Sequence, residues 1–403
     1  MKRGTPGFVG ARLREAREVR GLTAVALADI AGVSPQAISQ YESGQSSPSP
    51  AVLEAIAVAV NLPGHFFIRP DRGFERGTIF ARSMSAATKS ARARAERRFT
   101  WLRDIVSYLS EFVSLPAVNF PELRLPDNPL LLSDVEIEEA AGDVRRYWQM
   151  GDGPIGNMVL LLENQGAIIA RDQLGAETLD GLSEFAPDQL RPYIILGTDK
   201  GSYARWRFDA AHELAHIVLH ARLDPRLLSR PEHFKQIERQ AHRFAAAFLL
   251  PLASFGEDLF AVNLDTFQAL KPKWGVSIAM MIIRTRHAGL IPEDVERRLW
   301  INLSRRGWRR TEPYDDLTEP EEPRLLRRSF EMLLSERAQT PQDIIMNLAL
   351  PGSDIESLSG LPRGYLAQDF APVSLLGKRP PGASDETATP AEVVRLPLRP
   401  RNA

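Results

Sequence analysis

The run Arg205-Trp206-Arg207-Phe208-Asp209-Ala210-Ala211-His212-Glu213-Leu214-Ala215-His216 constrains this chain more than any other feature. Residues four apart on an α-helix lie one above the other on one face, so His212 and His216 present two imidazoles together. Such a pair can bind one Zn²⁺, with Glu213 placed to take a proton from water at the metal. Ala210, Ala211, Leu214, Ala215, Ile217, Val218 and Leu219 are apolar and suit a buried helix. A coincidental pattern on a solvated helix would lack that setting.

A catalytic zinc site needs a third protein ligand and one open position. His220 continues the same face, but it lies about 6 Å further along the axis than His216, too far to close one tetrahedron. A hydrogen bond near the helix end is its expected role. A second helix over Gln236 to Leu250 carries Ile237, Ala241, Phe244, Ala245 and Phe248 as an apolar stripe, and Pro251 marks its end. Glu238 and His242 are one turn apart near that stripe, and either could face the first helix. A carboxylate there would complete a His₂Glu set.

With these residues the chain resembles the ImmA/IrrE family of bacterial metallopeptidases. The likeness runs through Arg205 to His216 and Glu238 to Pro251. It extends to Gly153-Pro154-Ile155-Gly156-Asn157, Glu163-Asn164-Gln165-Gly166, Trp274-Gly275-Val276-Ser277 and Gly307-Trp308-Arg309-Arg310-Thr311-Glu312-Pro313. The resemblance implies Zn²⁺ held by His212, His216 and Glu238, with Glu213 as general base. It also implies cleavage of a repressor protein. One position departs from the pattern: His242 stands where the family usually has Asn.

Residues 9 to 67 carry an independent signal. Arg12 to Arg20 reads as a basic helix. Thr23 can cap a second helix with Val25, Leu27, Ala28 and Ile30 as apolar positions. After the turn Gly32-Val33-Ser34, Ser34 can cap a third helix that has Pro35 at its first position. Ile38 and Tyr41 should point inward, leaving Gln36, Ala37, Ser39 and Gln40 outward. Leu53, Ile56, Ala57 and Val60 make a fourth helix. Two helices across a short Gly-containing turn form a helix-turn-helix, whose second helix enters the major groove. Gln can pair with adenine there, and Ser with any base. The order Ala-Gly-Val-Ser-x-x-x-Ile-Ser-x-Tyr-Glu-x-Gly resembles the XRE (Cro/cI-like) family. The expected contacts to double-stranded operator DNA are Ser34, Gln36, Ala37, Ser39 and Gln40, in a homodimer. Ala24 replaces a frequent Gln, which implies one phosphate contact fewer.

The remainder is bounded by composition. A chain of 403 residues with 44% hydrophobic content has room for two or three domains with real cores. Its formal charge of −1 gives no chain-wide affinity for polyanions. The absence of Cys excludes disulfides, thiolate metal sites and thiol catalysis. No apolar run reaches about 18 residues, so a cytoplasmic protein without a membrane partner is expected. Between 69 and 103, ten basic residues stand against three acidic ones. This excess is read either as a solvated linker or as extra phosphate contacts. Ala167 to Ala170 and Tyr193 to Gly197 read as strands, and an edge strand at the latter could pair with an extended peptide substrate. Helices are expected at 99–112, 134–150, from 154, at 255–271, 277–288 and 292–304, and within 324–350.

The expected fold is mainly α (α+β). A four- to five-helix helix-turn-helix domain (1–67) leads through a basic helical connector (68–130) into a zincin-like domain (131–315), which has a small β-sheet and the His-Glu-x-x-His helix. A helical C-terminal region (316–376) and a disordered tail (377–403) follow. The function expected is a DNA-binding transcriptional regulator with a zinc endopeptidase domain. The alternative is a regulator whose zinc domain is a non-proteolytic sensor or scaffold.

Overall fold

Capping residues divide the amino-terminal segment into helices. The computed structural model describes residues 4–367 except 71–72, 76, 82–87, 174–179, 199–201 and 317–318. The tail at 377–403 and the basic residues Arg72, Arg76 and Arg82 lie outside that set. After α1 (Gly10–Val19), the Thr23 side chain accepts from Ala26 N to open α2 (Ala24–Ala31). Gly32 then sits at φ 67, the left-handed region that a Cβ disfavours, and ends it. The Ser34 hydroxyl accepts from Ala37 N and Pro35 fills the first position of α3 (Pro35–Glu42). α4 spans Pro50–Ala59. Leu13, Leu27, Ala28, Ile38 and Ile56 are completely buried between these helices. Of the apolar positions of α2, Leu27 and Ala28 are buried, whereas Val25 and Ile30 are more than half exposed.

Beyond this bundle come strand β1 (Ile79–Ala81) and helix α5 (Lys89–Leu109), then α6 (Asp134–Tyr147) and α7 (Met158–Asn164). Strands β2 (Ile168–Asp172), β3 (Gly181–Ala186) and β4 (Arg191–Gly197) complete a four-stranded sheet in the order β1-β3-β4-β2. β2 and β4 are parallel, whereas β3 pairs antiparallel with both β4 and β1. α8 (Tyr203–Leu219) and α9 (Pro231–Leu249) pack against each other, and α8 also packs on β3 and β4. Then follow α10 (Leu252–Asp258), α11 (Leu264–Trp274), α12 (Ile278–His287) and α13 (Glu293–Arg305). The expected single helix at 255–271 is two, because the Asn263 side chain accepts from Thr266 N and starts a new one. α14 (Leu325–Ser335), α15 (Pro341–Leu348) and α16 (Gly352–Ser359) close the described chain.

The sheet is a wall between two cores, as period-two alternation requires. Ile168, Ala170, Tyr193 and Ile195 face a core shared with α1–α5 and α14–α16. Ile169, Ile194 and Leu196 face the other core, built by α6–α9 and α11–α13. α5 lies deep in the first core with Trp101, Leu102 and Ile105 fully buried. Trp101 Nε1 donates to Glu15 Oε1 at 2.7 Å, tying α5 to α1.

Much of the basic excess of the connector is thereby turned inward. Arg98 pairs with Asp172 and Asp354, Arg103 with Glu184 and Asp188, and Arg97 with Glu18. The carboxy-terminal helices are fastened to the metal-helix core by reciprocal capping. Glu163 accepts from Arg324 N and Leu325 N at the start of α14, while Glu321 accepts from Met158 N and Val159 N at the start of α7.

Candidate metal centre and nucleic-acid face

His212 and His216 are on the buried face of α8, 1% and 0% exposed, with their Nε2 atoms 3.0 Å apart. Glu238, on α9, brings Oε2 to 3.4 Å from His212 Nε2 and Oε1 to 3.5 Å from His216 Nε2. A tetrahedral ion with bonds of about 2.0–2.1 Å has ligand–ligand edges of about 3.3–3.4 Å, so this triangle fits Zn²⁺. Burial acts to raise the Glu238 pKa. The neighbouring imidazoles of His212 and His216 outweigh it and hold the group well below the usual carboxylate range.

The remaining nitrogen of His216 shows how its tautomer is set. Gln240 Nε2 donates to Pro129 O at 2.9 Å and lies 3.4 Å from Leu132 O, which leaves Oε1 to accept from His220 Nε2 at 3.1 Å. Burial first, and then His216, hold the His220 pKa well below its ordinary value, so that ring is neutral. Its Nδ1, 3.0 Å from His216 Nδ1, therefore accepts, and His216 Nδ1 donates. The lone pair of His216 Nε2 is left facing His212 and Glu238. His220 is thus a hydrogen-bonding partner behind a candidate ligand, at the end of α8. Outer partners of this kind typically change metal affinity 10- to 100-fold. His220→Ala should accordingly weaken zinc binding by about that factor without removing the site, as competition with a chelating dye would measure.

His242 is half-buried on α9, with its ring centroid 4.8 Å from that of His212 and 5.4 Å from that of Phe208. His212, Glu238 and His242 form a second three-donor group, with donor atoms within 4.8 Å of one another. The set with His216 is tighter and its tautomer is prearranged, which favours it.

Glu213 is 1% exposed, and its Oε2 accepts from Ser183 Oγ at 2.6 Å. A Cβ at Gly181 would come within 2.7 Å of Glu213 Oε1, so glycine lets β3 lie against this carboxylate. Strand β3 therefore positions Glu213. β4, expected as a free edge, is an inner strand between β3 and β2. The edge beside β3 is taken by β1, with Phe80 opposite Ser183. Phe80 is buried and stacks on His216, centroids 4.9 Å apart and planes 7° from parallel.

At the other end of the molecule, α3 turns Ser34, Gln36 and Ser39 outward, with Ala37 and Gln40 half-buried and Ile38 inside. Ser39 Oγ donates to Pro35 O at 3.2 Å and keeps its lone pairs as acceptors. Glu42 is engaged by Arg14 and Arg17 of α1, which fixes α3 across the bundle.

Residues 9–65 match the family described as a helix-turn-helix domain, and residues 162–286 match the IrrE N-terminal-like domain. The second span contains the α8 histidines, Glu213, Glu238, Gln240 and His242. A search of curated proteins finds no match to the chain. Among the described residues, no helix is long and apolar enough to cross a membrane. The chain thus joins an XRE-like helix-turn-helix domain, the type that binds DNA, to an IrrE-like domain of a metallopeptidase family.

Proposed function

We propose that the protein is a cytoplasmic transcriptional regulator whose IrrE-like domain is a zinc-dependent endopeptidase acting on a repressor protein. In this reading 1–67 bind DNA, 68–130 connect, 131–315 form the peptidase, and 316–376 follow as the carboxy-terminal region. The observation that carries the proposal is the triangle of His212, His216 and Glu238 with Glu213 beside it on α8. Zn²⁺ held by those three residues would supply a Lewis acid for the scissile carbonyl and acidify water. Glu213 accepts the proton of the attacking water and returns it to the leaving amine. Ser183, donating to Oε2, holds this carboxylate in place on α8. Gln240 and His220 hold His216 in the ligating tautomer. The test is fragment formation from repressor proteins encoded beside this chain, incubated with the zinc-loaded protein.

One observation favours the alternative of a non-proteolytic zinc sensor. β1 already fills the edge beside β3, and Phe80 covers His216. Under the peptidase reading a strand-like substrate must displace β1, and Phe80→Ala should raise turnover rather than lower it.

For DNA, the reading is a homodimer on a two-fold operator, with Gln36 and Gln40 on base edges and Ser34, Ala37 and Ser39 alongside. Gln36→Ala should cost about 1–3 kcal/mol of operator affinity and relax preference at one base pair. Titration of operator variants at physiological salt measures both. An affinity unchanged in Gln36→Ala and in Gln40→Ala would remove α3 as the reading helix.

A further inference from the structure

Where the end of α1, α5, the end of β2 and α16 meet, the fold forms a half-open cavity of about 500 Å³. Four arginines line it: Arg20 from α1, Arg94 and Arg98 from α5, and Arg171 from β2. Among the described lining residues, only Asp172 and Asp354 are carboxylates. Both are engaged. Asp354 takes Arg20 at 2.7 Å and Arg98 at 2.9 Å, and Asp172 takes Arg98 at 2.5 Å.

Arg171 and Arg94 are left with capacity. The Arg171 side chain is only 8% exposed and its guanidinium lies over the Trp206 ring at 4.4 Å. Its Nη1 reaches the exposed Glu322, but Nε and Nη2 are buried without a hydrogen-bond partner, as is Arg94 Nε. A buried donor left unpaired is destabilising, more so when charged. Two adjacent guanidinium nitrogens form the fork that accepts a tetrahedral oxyanion in bidentate fashion. Ser353 of α16 adds a hydroxyl to the lining, while the Ser357 hydroxyl donates to Asp172 Oδ1 at 3.2 Å.

We propose that this cavity binds a small phosphate-bearing anion, a phosphomonoester, through Arg171 and Arg94. The excess of guanidinium over carboxylate suits a dianion, and the volume is in the range of small-metabolite sites. The cavity touches the DNA-binding bundle, the connector, the sheet behind the metal helix and the carboxy-terminal helices. A ligand here would therefore bear on the amino-terminal bundle, the connector, the sheet and α16 together. This inference does not depend on peptide hydrolysis.

Isothermal titration of the full-length protein with inorganic phosphate, adenosine monophosphate and succinate tests it. The expected result is saturable binding of the two phosphates at one site per chain, with succinate weaker. Arg171→Gln and Arg94→Gln should each weaken binding by about tenfold or more, and Arg226→Gln, on an exposed turn, should leave it unchanged. Circular dichroism checks the fold of each variant. If Arg171→Gln fails to fold, Arg94→Gln on the half-exposed side of α5 carries the test. No saturable binding of either phosphate, binding that survives Arg94→Gln, or a preference for succinate would each overturn the proposal.

Discussion

Glu213→Gln is expected to keep zinc, fold and operator affinity while hydrolysis falls by at least about 10²-fold, the usual scale for a positioned base. Gln preserves the size of the side chain and can still accept from Ser183 Oγ, so the packing against Gly181 and Ser183 need not change. What it lacks is a carboxylate able to take a proton at neutral pH. A base and a merely structural glutamate are thereby separated, because the structural role survives in the amide. The readouts are fragment yield by mass spectrometry and operator affinity by titration. If the domain is a sensor, Glu213→Gln should regulate its target gene as the wild type does.

The second large effect concerns metal. His212→Ala with His216→Ala should abolish zinc binding, from about one ion per chain to none by elemental analysis. Glu238→Ala should weaken it, since one edge of the triangle remains. His242→Ala discriminates between the two three-donor groups. If zinc survives in His242→Ala and is weakened in Glu238→Ala, His216 belongs to the ligand set and His242 faces substrate or solvent. Loss of zinc in both His242→Ala and Glu238→Ala would favour the group with His242, and retention in Glu238→Ala with loss in His242→Ala would put His242 in the place of Glu238 as third ligand. Stoichiometric metal in the double His variant would place the site elsewhere.

Local signals account for what the sequence made legible. The caps at Thr23 and Ser34, the turn at Gly32 and the four-residue histidine spacing act within one turn of helix, and each is found where the residues indicate. The parts that could not be read depend on partners distant in the chain. β3 (Gly-Leu-Ser-Glu-Phe-Ala) has no clean apolar run. It is a strand because β1 and β4 pair with both its edges, and its Ser183 and Glu184 are buried by Glu213 and Arg103. β4 reads as an edge because β3, which pairs with it, gives so weak a strand signal, and the true edge beside β3 is closed by three residues from a connector about 100 positions earlier. The connector arginines looked like a solvated or phosphate-binding face because their acids, Glu18, Asp172, Glu184 and Asp354, are dispersed along the chain. His220, at the end of α8, is a hydrogen-bonding residue, as its spacing from His216 implies. Its acceptor, Gln240, gave no signal of its own, since a glutamine on a polar-looking helix is ordinarily solvated.

The most direct measurement is a paired incubation. Zinc-loaded wild type and zinc-loaded Glu213→Gln are each mixed with the repressor proteins encoded beside this chain, and the products are resolved by mass spectrometry. The proposed function predicts discrete fragments of one repressor with the wild type, and their loss in Glu213→Gln at equal zinc content. No fragment with either protein, or the same fragments with both, would contradict a peptidase centred on α8 and α9.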